Sequence, residues 1–127
     1  MAEEAKTEET NAQRYERGEA RLLEVDGREG KRDVDALGDL GRYIYEFGYG
    51  DIYSREGRSL RDRELAAVAM LTVLGGREEQ LSLHIGSAMR VGLTPEEIRE
   101  VIIHTVVYAG FPTAMKAMQI LHQQTSE

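Results

Sequence analysis

Apolar residues recur at helical spacing along most of the chain, and this pattern predicts an all-α protein. From Leu65 to Leu74 they face every side of the helix, which is typical of a helix at the centre of a domain. Earlier in the chain they lie three or four residues apart, at Leu37, Leu40, Tyr43, Ile44 and Phe47. The sequence shows neither a β-hairpin pattern nor an internal repeat. We therefore predict a single-domain helical bundle of about six helices.

Glycine, proline and capping residues indicate where these helices end. Thr94 is placed to cap a helix that has Pro95 at its first position, and Glu97 completes a capping box. Gly110 ends that helix, and Asp26-Gly27 is expected to end the first helix of the chain. The expected helices cover about residues 12–25, 37–47, 59–74, 77–91, 95–109 and 112–123, and residues 28–33 are expected to form a loop.

A cluster of glycine and aromatic residues, from Gly48 to Tyr53, follows the second expected helix. Its composition predicts a loop. Within this loop Tyr49, Asp51 and Tyr53 could cover a site or lie at a subunit contact, and we expect the contact. The acidic residues 1–11 predict a flexible tail, which is followed by one helical domain at residues 12–127.

Composition and charge narrow the classes of partner. The formal net charge of −7 argues against nucleic acid, because phosphate binding requires clustered Lys and Arg. No apolar run reaches the roughly 18 residues that a membrane span requires, and Met1 to Glu9 lack the apolar core of a signal peptide. Cysteine is absent, which excludes disulfides and thiol redox chemistry. We therefore expect a cytoplasmic protein with no membrane or nucleic-acid partner.

Several segments of the second half resemble the carboxymuconolactone decarboxylase family. They are Arg61-Asp-Arg-Glu-Leu-Ala-Ala-Val-Ala-Met-Leu71, Gly75-Gly-Arg-Glu-Glu-Gln80 with His84 after it, Gly92-Leu-Thr-Pro-Glu-Glu-Ile-Arg-Glu-Val101, and Tyr108-Ala-Gly-Phe-Pro112. No single segment is specific, and the order of the whole set carries the resemblance. It covers roughly residues 36–120, about two thirds of the chain.

The resemblance implies a small all-α protein that acts on an organic acid without metal or organic cofactor. The decarboxylase that names the family removes CO2 from a carboxylated unsaturated lactone. The family is also similar to the alkyl hydroperoxide reductase D proteins, whose Cys-x-x-Cys pair precedes the histidine. Here Arg77 and Gln80 occupy the cysteine positions, so thiol peroxidase chemistry is excluded. A non-catalytic binding protein of the same fold is the alternative, and the extra glycine at Gly75-Gly76 leaves the substrate open.

His84 and Glu64 are the candidate catalytic residues. His84 lies at the border of the apolar face of its helix, where an imidazole can titrate near neutral pH and act as an acid. Glu64 faces the core, where a carboxylate is costly unless it is paired or protonated. The resemblance places Glu64 at the glutamate that begins a proton relay to the histidine. The alternatives are a structural histidine and a glutamate paired with Arg61 or Arg63.

Arg61, Arg63 and Tyr108 are the candidate substrate-binding residues. Guanidinium groups bind carboxylates through two parallel hydrogen bonds. A salt bridge to an acidic neighbour would explain either arginine equally well. Tyr108 lies in the last turn of its helix, where its hydroxyl could reach a pocket or its ring could belong to the core.

We expect neither a metal nor another cofactor, because the three histidines do not fall at ligand spacings within one helix. The last two expected helices carry Val, Ile, Ala and Met on more than one face, which is more apolar surface than a lone domain covers. The resemblance implies rings of three or six subunits. We therefore expect a homotrimer or homohexamer that binds a small organic acid.

Overall fold

The computed structural model describes residues 8–126, which form six α-helices and one π-helix without a β-strand. They are α1 (Asn11–Asp35), α2 (Asp39–Tyr43), the π-helix (Ile44–Ile52), α3 (Leu60–Leu74), α4 (Glu78–Arg90), α5 (Pro95–Ala109) and α6 (Phe111–Thr125). The predicted all-α class is confirmed. Most of the predicted tail, at residues 1–7, lies outside the described residues, and the single domain at 12–127 stays a prediction.

Local capping explains why α3 and α5 begin where the sequence predicts. The hydroxyl of Thr94 accepts a hydrogen bond from the amide of Glu97 at 3.1 Å, and the Glu97 carboxylate accepts one from the amide of Thr94. The hydroxyl of Ser59 accepts from the amide of Asp62 in the same way. These contacts satisfy backbone amides that the first turn of a helix leaves unpaired.

Helical conformation is interrupted at Gly27, where the sequence predicts the first helix to end, but the loop predicted at residues 28–33 is wrong. α1 continues to Asp35 through a kink at Gly27, whose φ is 70° and ψ is −169°. Glycine adopts this conformation readily because it has no Cβ atom. Helical conformation resumes after the kink, and Asp26 is left buried at the side of α1 that faces α4.

The loop predicted at Gly48–Tyr53 is also wrong, because these residues complete the π-helix. Its backbone hydrogen bonds join residues five apart, for example the amide of Tyr53 and the carbonyl of Gly48 at 3.0 Å. α1 crosses the π-helix at Gly18, where a Cβ atom would overlap the carbonyl oxygen of Tyr45. The absence of a side chain at Gly18 thus permits this close crossing.

Two apolar clusters hold the helices together. One joins α1 to the π-helix and contains Leu22, Val25, Tyr45 and Tyr49. The other is aliphatic and fills the α3–α6 bundle, with Val68, Ile85, Ile98, Ile102 and Leu121 among its members. Since α1 also packs against α4, the two clusters are neighbours, and polar groups occupy the boundary between them. Within residues 8–126 no helix is both long and apolar enough to cross a membrane.

Candidate active site

Glu64 and His84 meet where α3 packs against α4. Glu64 is one turn before the buried Val68 and lies on the same inner face of α3. The Nδ1–H group of His84 donates a hydrogen bond to Oε2 of Glu64 at 2.8 Å. The Glu64 side chain is completely buried, whereas that of His84 is 18% exposed. The contact expected between these residues is present, and it connects a buried carboxylate to a ring that reaches the surface.

Tyr53 supplies the second hydrogen bond to Glu64. Its hydroxyl donates to Oε1 at 2.9 Å, and its ring stacks on Tyr49 with the ring centroids 4.7 Å apart. Burial, and then the charge and hydrogen bond of Glu64, raise the pKa of Tyr53 well above its ordinary value. Tyr53 therefore stays protonated and remains a donor to the carboxylate.

A second buried carboxylate, Asp26 of α1, lies beside this pair. It accepts hydrogen bonds from the hydroxyls of Tyr49 and Ser87. One oxygen of Asp26, one oxygen of Glu64 and a ring nitrogen of His84 all lie within 4.8 Å of one another. We refer to Asp26, Glu64 and His84 as the carboxylate–histidine cluster. Burial, followed by the charge of Asp26, raises the pKa of Tyr49, which therefore also remains a donor.

The two carboxylates favour the charged form of His84. Burial opposes that form because the imidazolium loses hydration. The hydrogen bond and charge of Glu64, together with the charge of Asp26, outweigh burial and raise the pKa of His84. An imidazolium in this position can donate a proton, and the cluster is therefore suited to acid–base chemistry.

Carboxylates and imidazole are also the groups that bind divalent cations. In the cluster each carboxylate already accepts hydrogen bonds from two protein groups. This is the geometry of a site that holds protons, and we assign no ion to it. That the protein uses no metal stays a prediction.

The two candidate arginines differ in their surroundings. Arg61 forms a salt bridge with Glu97 of α5, which is the alternative that the sequence left open. Arg63 is half-buried on α3, and its Nη2 donates to the carbonyl of Arg55 at 3.2 Å. Its Nε is buried and has no hydrogen-bond partner among residues 8–126, while its charge partly offsets the rise in the pKa of Tyr53. Arg63 is thus the candidate arginine with an available donor close to the cluster.

Tyr108 is not brought to the cluster within one chain. Its side chain is 79% exposed on the outer side of α5, and its ring lies 5.8 Å from that of His104. The alternative that the Tyr108 ring belongs to the core is therefore wrong for the single chain, and its role in substrate binding stays a prediction. Its position at the surface gives no support to a substrate-binding role there.

A groove of about 410 Å³ opens between α1 and α4, and Asp26 and Ser87 lie in its wall. The guanidinium of Arg90 lies against Gly27, where a Cβ atom would come within 2.8 Å of the Arg90 Cζ. Other lining residues are Glu29, Glu79, Ser82, Leu83, Gly86 and Gln124. The groove therefore gives solvent a route to one carboxylate of the cluster.

Asp26 and Ser87 were not predicted from the sequence, and Tyr49 and Tyr53 were expected at a subunit contact, with a position over the site as the alternative. A subunit contact at Tyr49 is wrong because this side chain is buried in its own chain. A signal was present for the tyrosines, since Tyr45, Tyr49 and Tyr53 recur every four residues and lie on one face of the π-helix. Asp26 had no such signal, because Asp-Gly is typical of a turn.

Sequence comparison relates most of this chain to one protein family. Residues 38–123, which include both Glu64 and His84, match the model of the carboxymuconolactone decarboxylase family. The chain is 32% identical over 116 residues to a 4-carboxymuconolactone decarboxylase of Acinetobacter baylyi, which covers 87% of this chain and 86% of that protein.

Two further relatives match the chain over shorter segments. A nitrosuccinic acid decarboxylase of Metarhizium robertsii is 34% identical over 83 residues, 65% of this chain and 56% of that protein. An uncharacterized 15.0 kDa protein of Paracoccus denitrificans is 31% identical over 85 residues, 66% of this chain and 63% of that protein. The family model and the long match to the Acinetobacter protein together show that this chain belongs to the carboxymuconolactone decarboxylase family.

Proposed function

We propose that this protein decarboxylates a small carboxylated unsaturated lactone, or a related organic acid, without a cofactor. The proposal depends above all on the Glu64–His84 pair, in which a buried carboxylate favours the charged form of an imidazole that reaches the surface. Two relatives named as decarboxylases support this type of reaction.

Decarboxylation of such a lactone develops negative charge that the protein must stabilise. The carbon–carbon bond to the carboxylate breaks, and CO2 leaves without the bonding electron pair. The pair conjugates through the double bond into the lactone carbonyl and forms a dienolate, which then takes a proton on carbon. The reaction therefore needs a cation to bind the acid, a hydrogen-bond donor near the carbonyl oxygen, and a proton donor for the carbon.

In this proposal His84 is the proton donor. Its Nδ1 is hydrogen bonded to Glu64, so Nε2–H is the group that remains to protonate the carbon. Glu64 orients the ring and stabilises its positive charge until the proton is transferred. A proton from solvent then restores the imidazolium for the next turnover.

Arg63 is the proposed cation for the substrate carboxylate, and we expect Arg63→Ala to raise KM more than it lowers kcat. The expected rise in KM is roughly tenfold to a hundredfold, which corresponds to the loss of a charge-assisted hydrogen bond. Arg61→Ala is the matched control, because the Arg61 side chain lies on the same helix but is paired with Glu97. Steady-state kinetics would rule out this role of Arg63 if the two variants had the same KM.

A panel of carboxylated lactones and small dicarboxylic acids, labelled with ¹³C in the carboxylate, tests the proposed function. We expect at least one of them to release ¹³CO2 with the folded protein, and Glu64→Gln to slow that release. The 4-carboxymuconolactone decarboxylase of Acinetobacter baylyi serves as the positive control. Failure of the whole panel, with a working control, would favour the alternative of a non-catalytic binding protein.

We also propose that the protein assembles with copies of itself, as a trimer or hexamer. α3, α5 and α6 pack on one another, and their outer sides carry large apolar side chains that are more than half exposed in the single chain. These are Met70, Leu74, Val107, Tyr108, Phe111 and Met115. Apolar surface of this extent is typical of a subunit interface.

Light scattering should give a mass of three or six times 14.3 kDa at micromolar concentration. Val107→Asp should lower that mass, because a carboxylate buried in an apolar interface is strongly unfavourable. Leu23→Asp is the matched control, since Leu23 is a partly exposed apolar residue of α1 outside these three helices. A wild-type mass near 14.3 kDa would contradict the assembly.

A further inference from the structure

We propose that Asp26 is a positioning residue of the site, and that it acts through His84 as a second negative charge holding the imidazole in its acidic form. This inference rests on the proposed function, in which His84 is the proton donor. It concerns a residue of α1 that lies outside the segment matched by the family model. From the sequence alone, Asp26 was expected only to end a helix.

The first reason is the way in which Asp26 is buried. Its hydrogen-bond partners, the hydroxyls of Tyr49 and Ser87, are both neutral. Within residues 8–126 no Lys, Arg or His forms a salt bridge with it, and Arg90 lines the same groove without such a contact. A buried carboxylate costs several kcal/mol unless a positive charge lies close to it.

The second reason is the position of His84. A ring nitrogen of His84 lies within 4.8 Å of carboxylate oxygens of both Asp26 and Glu64. The imidazolium is therefore the cation that the cluster provides for two buried carboxylates. At this separation an opposite charge favours the ionised form of each group.

The other elements around His84 add little charge. The π-helix contributes Tyr49, and the residue directly after it is Tyr53; both are neutral donors. α5 and α6 meet α4 through aliphatic side chains and through the neutral Gln124, which donates hydrogen bonds to Ser82. The charged groups near the cluster are Arg63, beyond Tyr53, and the groove residues Glu29, Glu79 and Arg90, which are exposed. Asp26 and Glu64 thus dominate the electrostatic surroundings of the imidazole.

Two carboxylates around one imidazole have a consequence for turnover. When His84 gives up its proton, both negative charges are left without a compensating cation in the cluster. Return of a proton to the ring is then strongly favoured, and the groove beside Asp26 gives solvent access. Asp26 thereby helps Glu64 to return the imidazole to its protonated state.

An NMR titration of the His84 ring protons tests this role. We expect Asp26→Asn to move the midpoint of His84 to lower pH, because removal of a negative charge disfavours the imidazolium. Glu29→Gln is the matched control, since Glu29 lies on the same helix and in the same groove but is exposed and outside the cluster. If Asp26 had only a structural role, its replacement would lower the melting temperature and leave the titration midpoint of His84 unchanged. An unchanged midpoint in folded Asp26→Asn would overturn the proposal.

A second measurement uses the wild-type protein and does not depend on the folding of a variant. The ¹³Cγ signal of Asp26 should shift at the same pH as the ring protons of His84, because loss of the imidazolium changes the electric field at a carboxylate that lies within 4.8 Å of the ring nitrogen, an electrostatic coupling. A flat ¹³Cγ signal across the titration of His84 would contradict the coupling. Neither measurement involves a substrate, so the result is independent of whether CO2 release is found, and a failure of one proposal can be told from a failure of the other.

Discussion

Replacement of His84 by alanine should lower kcat for CO2 release by roughly 10²–10⁴, the usual worth of a positioned acid. Without the imidazole the carbon must take its proton from water. Glu64 would also lose one of its two hydrogen bonds and keep only the one from Tyr53. The measurement is the initial rate at saturating substrate, for wild type and variant of equal oligomeric mass.

His104→Ala is the matched control for this experiment. His104 is an exposed histidine on α5 that lies beside Tyr108 and makes no hydrogen bond to the cluster. Its replacement should change kcat by less than about twofold, as is usual for surface positions. A loss of similar size in both variants would show that the effect does not come from the cluster.

Replacement of Gly18 by alanine should lower the free energy of unfolding by roughly 3 kcal/mol, at the upper end of what overpacking costs. The new Cβ atom would overlap the carbonyl oxygen of Tyr45 and crowd the amide of Gly50. Both are backbone atoms, so they cannot rotate away as a side chain would. The contact between α1 and the π-helix must open, and urea unfolding would measure the loss.

Gly48→Ala provides the comparison, because it adds the same methyl group within the π-helix. A Cβ atom at Gly48 meets no atom within 4 Å, and its φ is not positive. We expect the free energy of unfolding to change by less than about 1 kcal/mol. It can rise, because alanine restricts the conformations of the unfolded chain. Equal losses for Gly18→Ala and Gly48→Ala would contradict the close crossing at Gly18.

Parts of the fold that depend on local signals could be predicted from the sequence. Thr94, Pro95 and Glu97 define the start of α5 through contacts within one turn, so neighbouring residues suffice to predict it. The helical turns after Gly27 were not predicted, because a glycine in the left-handed region more often ends a helix than kinks it. Whether the helix resumes depends on packing against α4 and the π-helix, which no local pattern contains.

The candidate site was predictable only in part. The contact between Glu64 and His84 followed from the inward face of α3 and from the family resemblance. Tyr53 was assigned to a loop because the backbone hydrogen bonds of a π-helix span five residues, a pattern that an α-helical template does not match. Asp26 reaches the cluster through long-range packing of α1, and that step needed the structure.

The central claim is that the carboxylate–histidine cluster carries out decarboxylation and reprotonation. The most direct test is to convert, in D2O, the ¹³C-labelled acid that the panel identifies as a substrate. We expect wild type to release one ¹³CO2 for each product molecule and to place one deuterium on a single face of the newly protonated carbon. A proton delivered by one fixed imidazolium must give this stereochemistry, whereas protonation by free solvent does not. Equal deuteration of both faces during protein-dependent turnover would contradict the claim that His84 delivers the proton.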